Sequence, residues 1–235
     1  MKKLVIILLC TAVTMSVSAQ IRKTVKADGP VRTKEIKVGD FTGISTSCGI
    51  DVYLTQGNGP KVALETEENL HEHIRIEVKD DVLHVFTKVN IKNSKVHKVH
   101  VTMDDVRLLK ASSAGDIFGV TPVKADELTL SASSSGDIKL EVMAKELFTD
   151  SSSSGDINLS GRAEYLKSSA SSSGDLEAFD LRVKEAKVSA SSSGDVFVNV
   201  SDKLYARASS TGDVRYLGDP EVDAKSSSGG SVKKK

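Results

Sequence analysis

The sequence predicts an all-β fold, a right-handed parallel β-helix with coils of about 18–21 residues. Three observations carry that prediction. The first is a repeat. Ser-Ser-Ser-Gly-Asp stands at Ser133–Asp137, Ser152–Asp156, Ser171–Asp175 and Ser191–Asp195, with looser copies at Ser112–Asp116 and Ser209–Asp213 and a degraded one at Ser227–Ser231. Their glycines, Gly115, Gly136, Gly155, Gly174, Gly194, Gly212 and Gly230, are spaced 21, 19, 19, 20, 18 and 18 residues apart, and a period near 20 marks a repeat architecture. The second is alternation. Leu128, Leu130, Ala132, Ser134, Gly136, Ile138, Leu140 and Val142 share one side; Thr129, Ser131, Ser133, Ser135, Asp137, Lys139 and Glu141 share the other. That is the period of a half-buried strand. The third is what stacking makes of the alignment. Ile117, Ile138, Ile157, Leu176, Val196, Val214 and Val232 form an apolar spine beside a column of glycines and one of Ala111, Ala132, Ser151, Ala170, Ala190, Ala208 and Ser226.

No single repeat can bury its apolar side alone, so coils must stack. Seven coils at strand spacing make a rod segment of roughly 30–35 Å. Each repeat alternates over about 15 residues, which reads as two or three short strands with bends at Ser-Gly-Asp and at charged connections such as Met143–Glu146. Two neighbouring columns of tiny residues imply a corner where backbones approach closely. Right-handed coiling follows from the strong bias of parallel crossovers. A left-handed hexapeptide lattice would hold its coils near about 18 residues, which the drifting spacing does not.

Taken in order, residues 1–19 read as a secretory signal peptide. Lys2-Lys3 is a basic start, Leu4–Met15 an apolar stretch, and Val17-Ser18-Ala19 a small-residue cleavage site. Leu9 is too large to precede a lipidated Cys10. No other apolar run approaches the length of a membrane span, so the mature chain is expected to lack a transmembrane segment. Residues 20–40 are polar, interrupted by Pro30, and read as an N-terminal tail. Residues 41–235 read as one β-helix domain, with irregular first coils or a cap over 41–105 and regular Ser-Ser-Gly-Asp coils over 106–235. In the cap, Phe41–Leu54 reads as a strand pair, and Val62–Thr66, Ile74–Val78, Val82–Thr87 and Val96–Met103 as further strands. The closing Lys233-Lys234-Lys235 suits a last coil that faces water.

Loss of the signal removes two lysines and no acid, which leaves a slight acidic excess. No basic surplus drives nucleic-acid binding. Cys48 is the one cysteine beyond the signal, so no internal disulfide forms. It alternates with Ile44, Thr46, Ile50 and Val52 and reads as a small buried hydrophobe.

Phe41-Thr42-Gly43-Ile44-Ser45, the run Cys48–Gly57 with Gly49-Ile50-Asp51 at its centre, and the Ser-Ser-Gly-Asp-Ile coils together resemble the head GIN domain family of auto-transporter adhesins. The likeness covers about Phe41 to Tyr216. It implies a right-handed β-helix exported by Gram-negative bacteria of the Bacteroides kind, in the periplasm or on the cell surface. The resemblance brings no catalytic residues.

The most suggestive outward column is Asp116, Asp137, Asp156, Asp175, Asp195 and Asp213, flanked by serines. Like charges stacked directly opposite destabilise a sheet, so something must compensate. The favoured compensation is local backbone N–H bonds to each Asp at its own turn. The alternative is Ca2+ bridging the column, the natural cation for oxygen ligands. A hydroxyl-rich face also suits a cell-surface glycan or protein as partner. His71, His73, His84, His97 and His100 lack metal-ligand spacing and read as strand residues. No nucleophile elbow, phosphate loop or zinc-protease motif is present. The expectation is an exported non-enzymatic module without a resident cofactor, adhesin-like; the alternatives are a polysaccharide-acting enzyme or a structural envelope protein.

Overall fold

The computed structural model describes residues 22–235, so the expected signal peptide lies outside the described residues. The chain enters through β1 (Thr24–Lys26) and β2 (Val31–Ile36). β3 (Gly43–Thr46) and β4 (Asp51–Gln56) make one coil, bent at Cys48-Gly49, where both residues take positive φ. β5 (Lys61–Glu67), β6 (Ile74–Lys79), β7 (Val82–Thr87), β8 (Asn90–Lys92) and β9 (His97–Met103) follow. The four cap strands expected beyond Leu54 are found within a residue or two, as β5, β6, β7 and β9, and the short β8 is an addition to them.

Order in sequence is not order in space here. β3 lies in parallel register between β7 and β10 (Leu108–Ser112), and β4 between β9 and β11 (Ile117–Gly119). The outermost coil, β7 with β9, is therefore made later in the chain than the coil it covers. β5 pairs antiparallel with β9, β2 antiparallel with β5, and β6 antiparallel with β7. The segment read as a tail thus carries paired strands. The side chains of β2 are mostly polar and exposed, with Ile36 alone half-buried against the core, which is why the segment reads as a tail. What it supplies is backbone, since β2 covers an edge of β5 that would otherwise be open to other strands. Cys48 also differs from its reading. Ile44, Thr46 and Ile50 are buried, but the turn interrupts the alternation and leaves Cys48 half-exposed at φ 66°.

From β12 (Val123–Ser133) the stack is regular. β13 (Ile138–Ser152), β14 (Ile157–Ser171), β15 (Leu176–Ala190) and β16 (Val196–Ala208) each pair in parallel with the next, and β17 (Asp213–Leu217), β18 (Glu221–Ser226) and β19 (Ser231–Lys234) complete the described chain. This is a β-solenoid of about seven stacked coils. The apolar spine is in register from Ile117 to Val232, and its members from Ile117 to Val214 are at most 1% exposed. Burial of this kind stabilises by about 1.5–3 kcal/mol for each large aliphatic side chain, before entropy is counted.

Each coil turns two kinds of corner. The first is an outward step. β13, β14 and β15 are each one strand of 15 residues rather than two or three separate ones, and their pairing is interrupted at bends and bulges. The bend comes where Lys145 and Glu146 both face out and Lys145 drops out of the pairing. Two consecutive outward residues rotate the strand while pairing continues on either side. Asp126, Glu164 and Lys184 occupy the same step on neighbouring coils. They alternate in sign with Lys145 along the stack: Lys145 reaches Asp126 at 2.8 Å and Lys184 reaches Glu164 at 3.5 Å.

The second corner is the Ser-Ser-Gly-Asp turn. Ser134 and Ser135 take φ 52° and 61°, and Gly136 N–H donates to Ser133 O at 3.0 Å. Two successive left-handed residues are the mark of a type I′ turn. Glycine follows for room and not for conformation. A Cβ on Gly174 would stand 2.5 Å from the Ser152 nitrogen of the preceding coil. The close approach that the column of glycines implies is therefore real, and it locks the corner to a residue without a side chain.

Candidate functional site

The aspartates follow those glycines, and the turn sets what they do. The sequence puts them in one column, and they are in one column. Their compensation differs from the local bonds favoured above. Each carboxylate reaches along the stack and accepts the backbone N–H of the next coil's aspartate. Asp116 Oδ1 accepts from Asp137 N–H at 2.9 Å, Asp137 from Asp156 at 2.9 Å, Asp156 from Asp175 at 3.0 Å, Asp175 from Asp195 at 2.8 Å and Asp195 from Asp213 at 2.8 Å. Asp213 Oδ1 accepts both the N–H and the hydroxyl of Ser231, each at 2.9 Å. The reason is geometric. At the tight turn the aspartate N–H points between coils, and the neighbouring side chain supplies the acceptor. One oxygen of every carboxylate in the column is committed to the backbone.

The repulsion between them is still felt. Burial first, then the neighbouring carboxylates of Asp156 and Asp195, push the Asp175 carboxyl above its usual value despite the Asp195 N–H. Burial, then Asp137, does the same to Asp116.

The histidines do not converge. His100 Nε2 lies 2.9 Å from Glu65 Oε2, His73 Nε2 lies 3.4 Å from Glu72, and His71 Nε2 faces Arg32 O at 3.2 Å. Among the described residues no group of three or more His, Cys, Asp and Glu is placed to hold a metal ion.

Another feature comes from residues not singled out in the sequence. Between the two corners, the outward side of the sheet forms a groove of about 660 Å³ that crosses β12 to β16 and β18. One column along it reads Thr129, Phe148, Lys167, Lys187, Tyr205 and Asp223, each in parallel register with the next. Tyr205 is 47% exposed, and both lysines are exposed. Tyr165 stands two residues before Lys167 on the same strand; Ser169 and Ser189 stand two residues after the lysines. A usable signal is in the sequence: all six members of the column lie seven residues before a repeat glycine. It is diluted because the residue type changes from coil to coil.

Fold and surface together define a β-solenoid with a rigid outward face. The chain belongs to the family described as "Putative auto-transporter adhesin, head GIN domain", whose model matches residues 40–220. Solved structures agree. A putative adhesin from Bacteroides fragilis NCTC 9343 superposes with a TM-score of 0.84 at 21% identity, covering 89% of this chain and 99% of its own. A putative adhesin from Parabacteroides distasonis ATCC 8503 gives a TM-score of 0.72 at 27% identity, covering 90% and 100%. A protein from the same Parabacteroides strain, described as a putative lipid binding protein, gives 0.69 at 21% identity over 90% and 99%. No curated protein is similar to the chain. Among the described residues no helix is long and apolar enough to cross a membrane.

Proposed function

We propose that this chain is an exported, non-enzymatic binding module of the Gram-negative cell envelope, adhesin-like, that presents the solenoid's side face to a molecule at the cell surface. The observation that carries this reading is the groove itself: a straight, sheet-backed channel in which cations and aromatic rings stand outward. Membership of an adhesin family supports it. A polysaccharide-acting enzyme needs particular acids set apart from the rest to move protons. Here the prominent acids are repeated evenly, and in the aspartate column each holds a backbone N–H. In this reading the aspartates are part of the corner, and neither calcium nor catalysis is assigned to them.

Protease treatment of intact producing cells, followed by blotting for the chain, tests the reading. Digestion on intact cells is the expected result. Survival until the outer membrane is opened would place the chain in the periplasm and end the adhesin reading.

A further inference from the structure

We propose that the groove is a binding site for an acidic polysaccharide, a glycan strand bearing carboxylates or sulfates, laid along the stack over Phe148, Lys167, Lys187 and Tyr205. The inference rests on the binding-module reading and names its ligand class. It comes from comparing how the stack treats charge.

Stacking puts equivalent residues about 4.8 Å apart, so any column of like charge needs compensation. Two columns have it built in. The aspartates are held by backbone N–H groups of the next coil. The corner column alternates in sign, with ion pairs from Lys145 to Asp126 and from Lys184 to Glu164. The groove column has neither; Arg162 and Arg182 across the outward corner share that lack, and the rings beside Lys167 and Lys187 set the groove apart. Lys167 and Lys187 are direct register partners. Among the described residues, Lys167, Lys187, Arg207 and Lys225 have no acidic oxygen within 4 Å, and no side-chain hydrogen bond engages them. Glu185, the acid nearest in sequence to Lys187, is paired with Lys203 at 3.8 Å. An anion from outside supplies what the fold leaves out.

The aromatic rings point to the rest of the ligand. On the face beyond the tight turn, half-buried rings pair with one another: Tyr53 with Phe118 at 5.4 Å and Phe179 with Phe197 at 5.4 Å. Phe148, Tyr165 and Tyr205 have no ring partner among the described residues. They bracket the two lysines along the stack and offer flat apolar surfaces to the C–H faces of sugars, with a hydroxyl at two of the three. Ser169 and Ser189 add hydroxyls beside the lysines. A ligand that carries acidic groups between flat rings matches a column in which Phe148 and Tyr205 flank Lys167 and Lys187.

Acids beside the lysines disfavour broader partners. The column Glu127, Glu146 and Glu185 runs along one side of them, interrupted by Tyr165, and the column on the other side holds Asp150 toward one end and Arg207 and Lys225 at the other. A duplex or an anionic membrane surface would meet those acids as well as the lysines. A single glycan strand is narrow enough to lie between them.

The test uses the full chain, titrated calorimetrically with polygalacturonate, heparin, neutral dextran, polyglutamate and phosphatidylglycerol vesicles. The expected result is binding to polygalacturonate or heparin that weakens as salt rises, with none to dextran. Which of the two is bound assigns carboxylate or sulfate. Lys167→Gln with Lys187→Gln should weaken that binding about tenfold or more, and Phe148→Ala with Tyr205→Ala likewise. Arg162→Gln with Arg182→Gln removes another stacked cation pair, across the outward corner and without aromatic neighbours, and should leave affinity unchanged. Thermal melts of the lysine variant should match or exceed the parent, since like charges are removed. No binding to either glycan, equal binding to polyglutamate or vesicles, or equal loss in the arginine variant would each overturn the proposal. Its failure is separable from that of the adhesin reading. Surface exposure with no acidic-glycan binding sinks this inference alone, and glycan binding by a periplasmic chain sinks the adhesin reading alone.

Discussion

Asp175 meets two opposed demands. Its Oδ1 is the acceptor for Asp195 N–H at 2.8 Å, yet its charge stands between those of Asp156 and Asp195. Its raised carboxyl value fixes the sign of the pH effect. Between the ordinary value near about 3.9 and the raised native value, the folded chain binds more protons than the unfolded one. Stability therefore falls as pH rises through that window, and the penalty is fully present at pH 7. Asp175→Asn keeps the acceptor and removes the charge. It should raise the melting temperature at pH 7 by about 1–4 °C, the equivalent of a few tenths to about 1 kcal/mol, and the gain should vanish below about pH 3. Asp175→Ala leaves the Asp195 N–H without its acceptor and should cost about 1–3 kcal/mol at any pH. If Asn lowers the melting temperature at pH 7 as Ala does, repulsion in the column is not significant. A calcium-dependent rise in the parent that Asp175→Asn abolishes would assign the column to cations instead.

Among the elements, the cap is held differently from the coils. Its antiparallel strands converge on Glu67 at the end of β5, which is only 4% exposed. Glu67 Oε1 accepts from Lys95 N–H at 2.7 Å and Oε2 from the Ser94 hydroxyl at 2.6 Å, which fastens the connection from β8 to β9. Burial alone would push this carboxyl up; the Ser94 and Lys95 bonds outweigh it and hold it below its usual range. The sign is opposite to that of Asp175. The contribution is complete above the ordinary value near about 4.3 and is lost as pH falls through the lower native one. Glu67→Gln should speed amide hydrogen exchange over residues 88–97 by about tenfold or more, leaving β14 and β15 unchanged. Unaltered exchange in that segment would show that something other than Glu67 holds it.

For the whole molecule, stability is close to a sum over neighbouring coils, because each coil touches only the next ones. Deleting residues 157–175 removes one coil and joins Asp156 to Leu176, the residue in register with Ile157. That chain should fold, keep its strand-type circular dichroism and shorten by about 4.8 Å in solution scattering. Deleting residues 157–166 instead puts Lys167 where Ile157 stands in the spine, and should abolish folding because a charge would be buried without a partner. Equal behaviour of the two deletions would contradict a stack in strict register.

From β10 onward the fold was legible in the chain because sequence neighbours and spatial neighbours coincide. A repeat aligned on its glycines is a register table, and the Ile117 spine and the column of six aspartates follow from it residue by residue. Inside and outside were equally readable, since alternation survives in every coil. Before β10 that logic fails. β3 and β4 sit beneath strands made later in the chain, and no repeat marks which strand covers which, so only long-range pairing settles the order. The same holds for β2, whose contribution is chiefly backbone and marks only Ile36 among its side chains. It holds also for the aspartates, whose positions are written in the repeat while their partners depend on the direction of an N–H at a left-handed turn. The groove lies between these cases. Its column could be counted from the glycines, but whether Lys167 and Lys187 are neutralised depends on where each side chain's neighbours come to lie, and that is a property of the assembled stack.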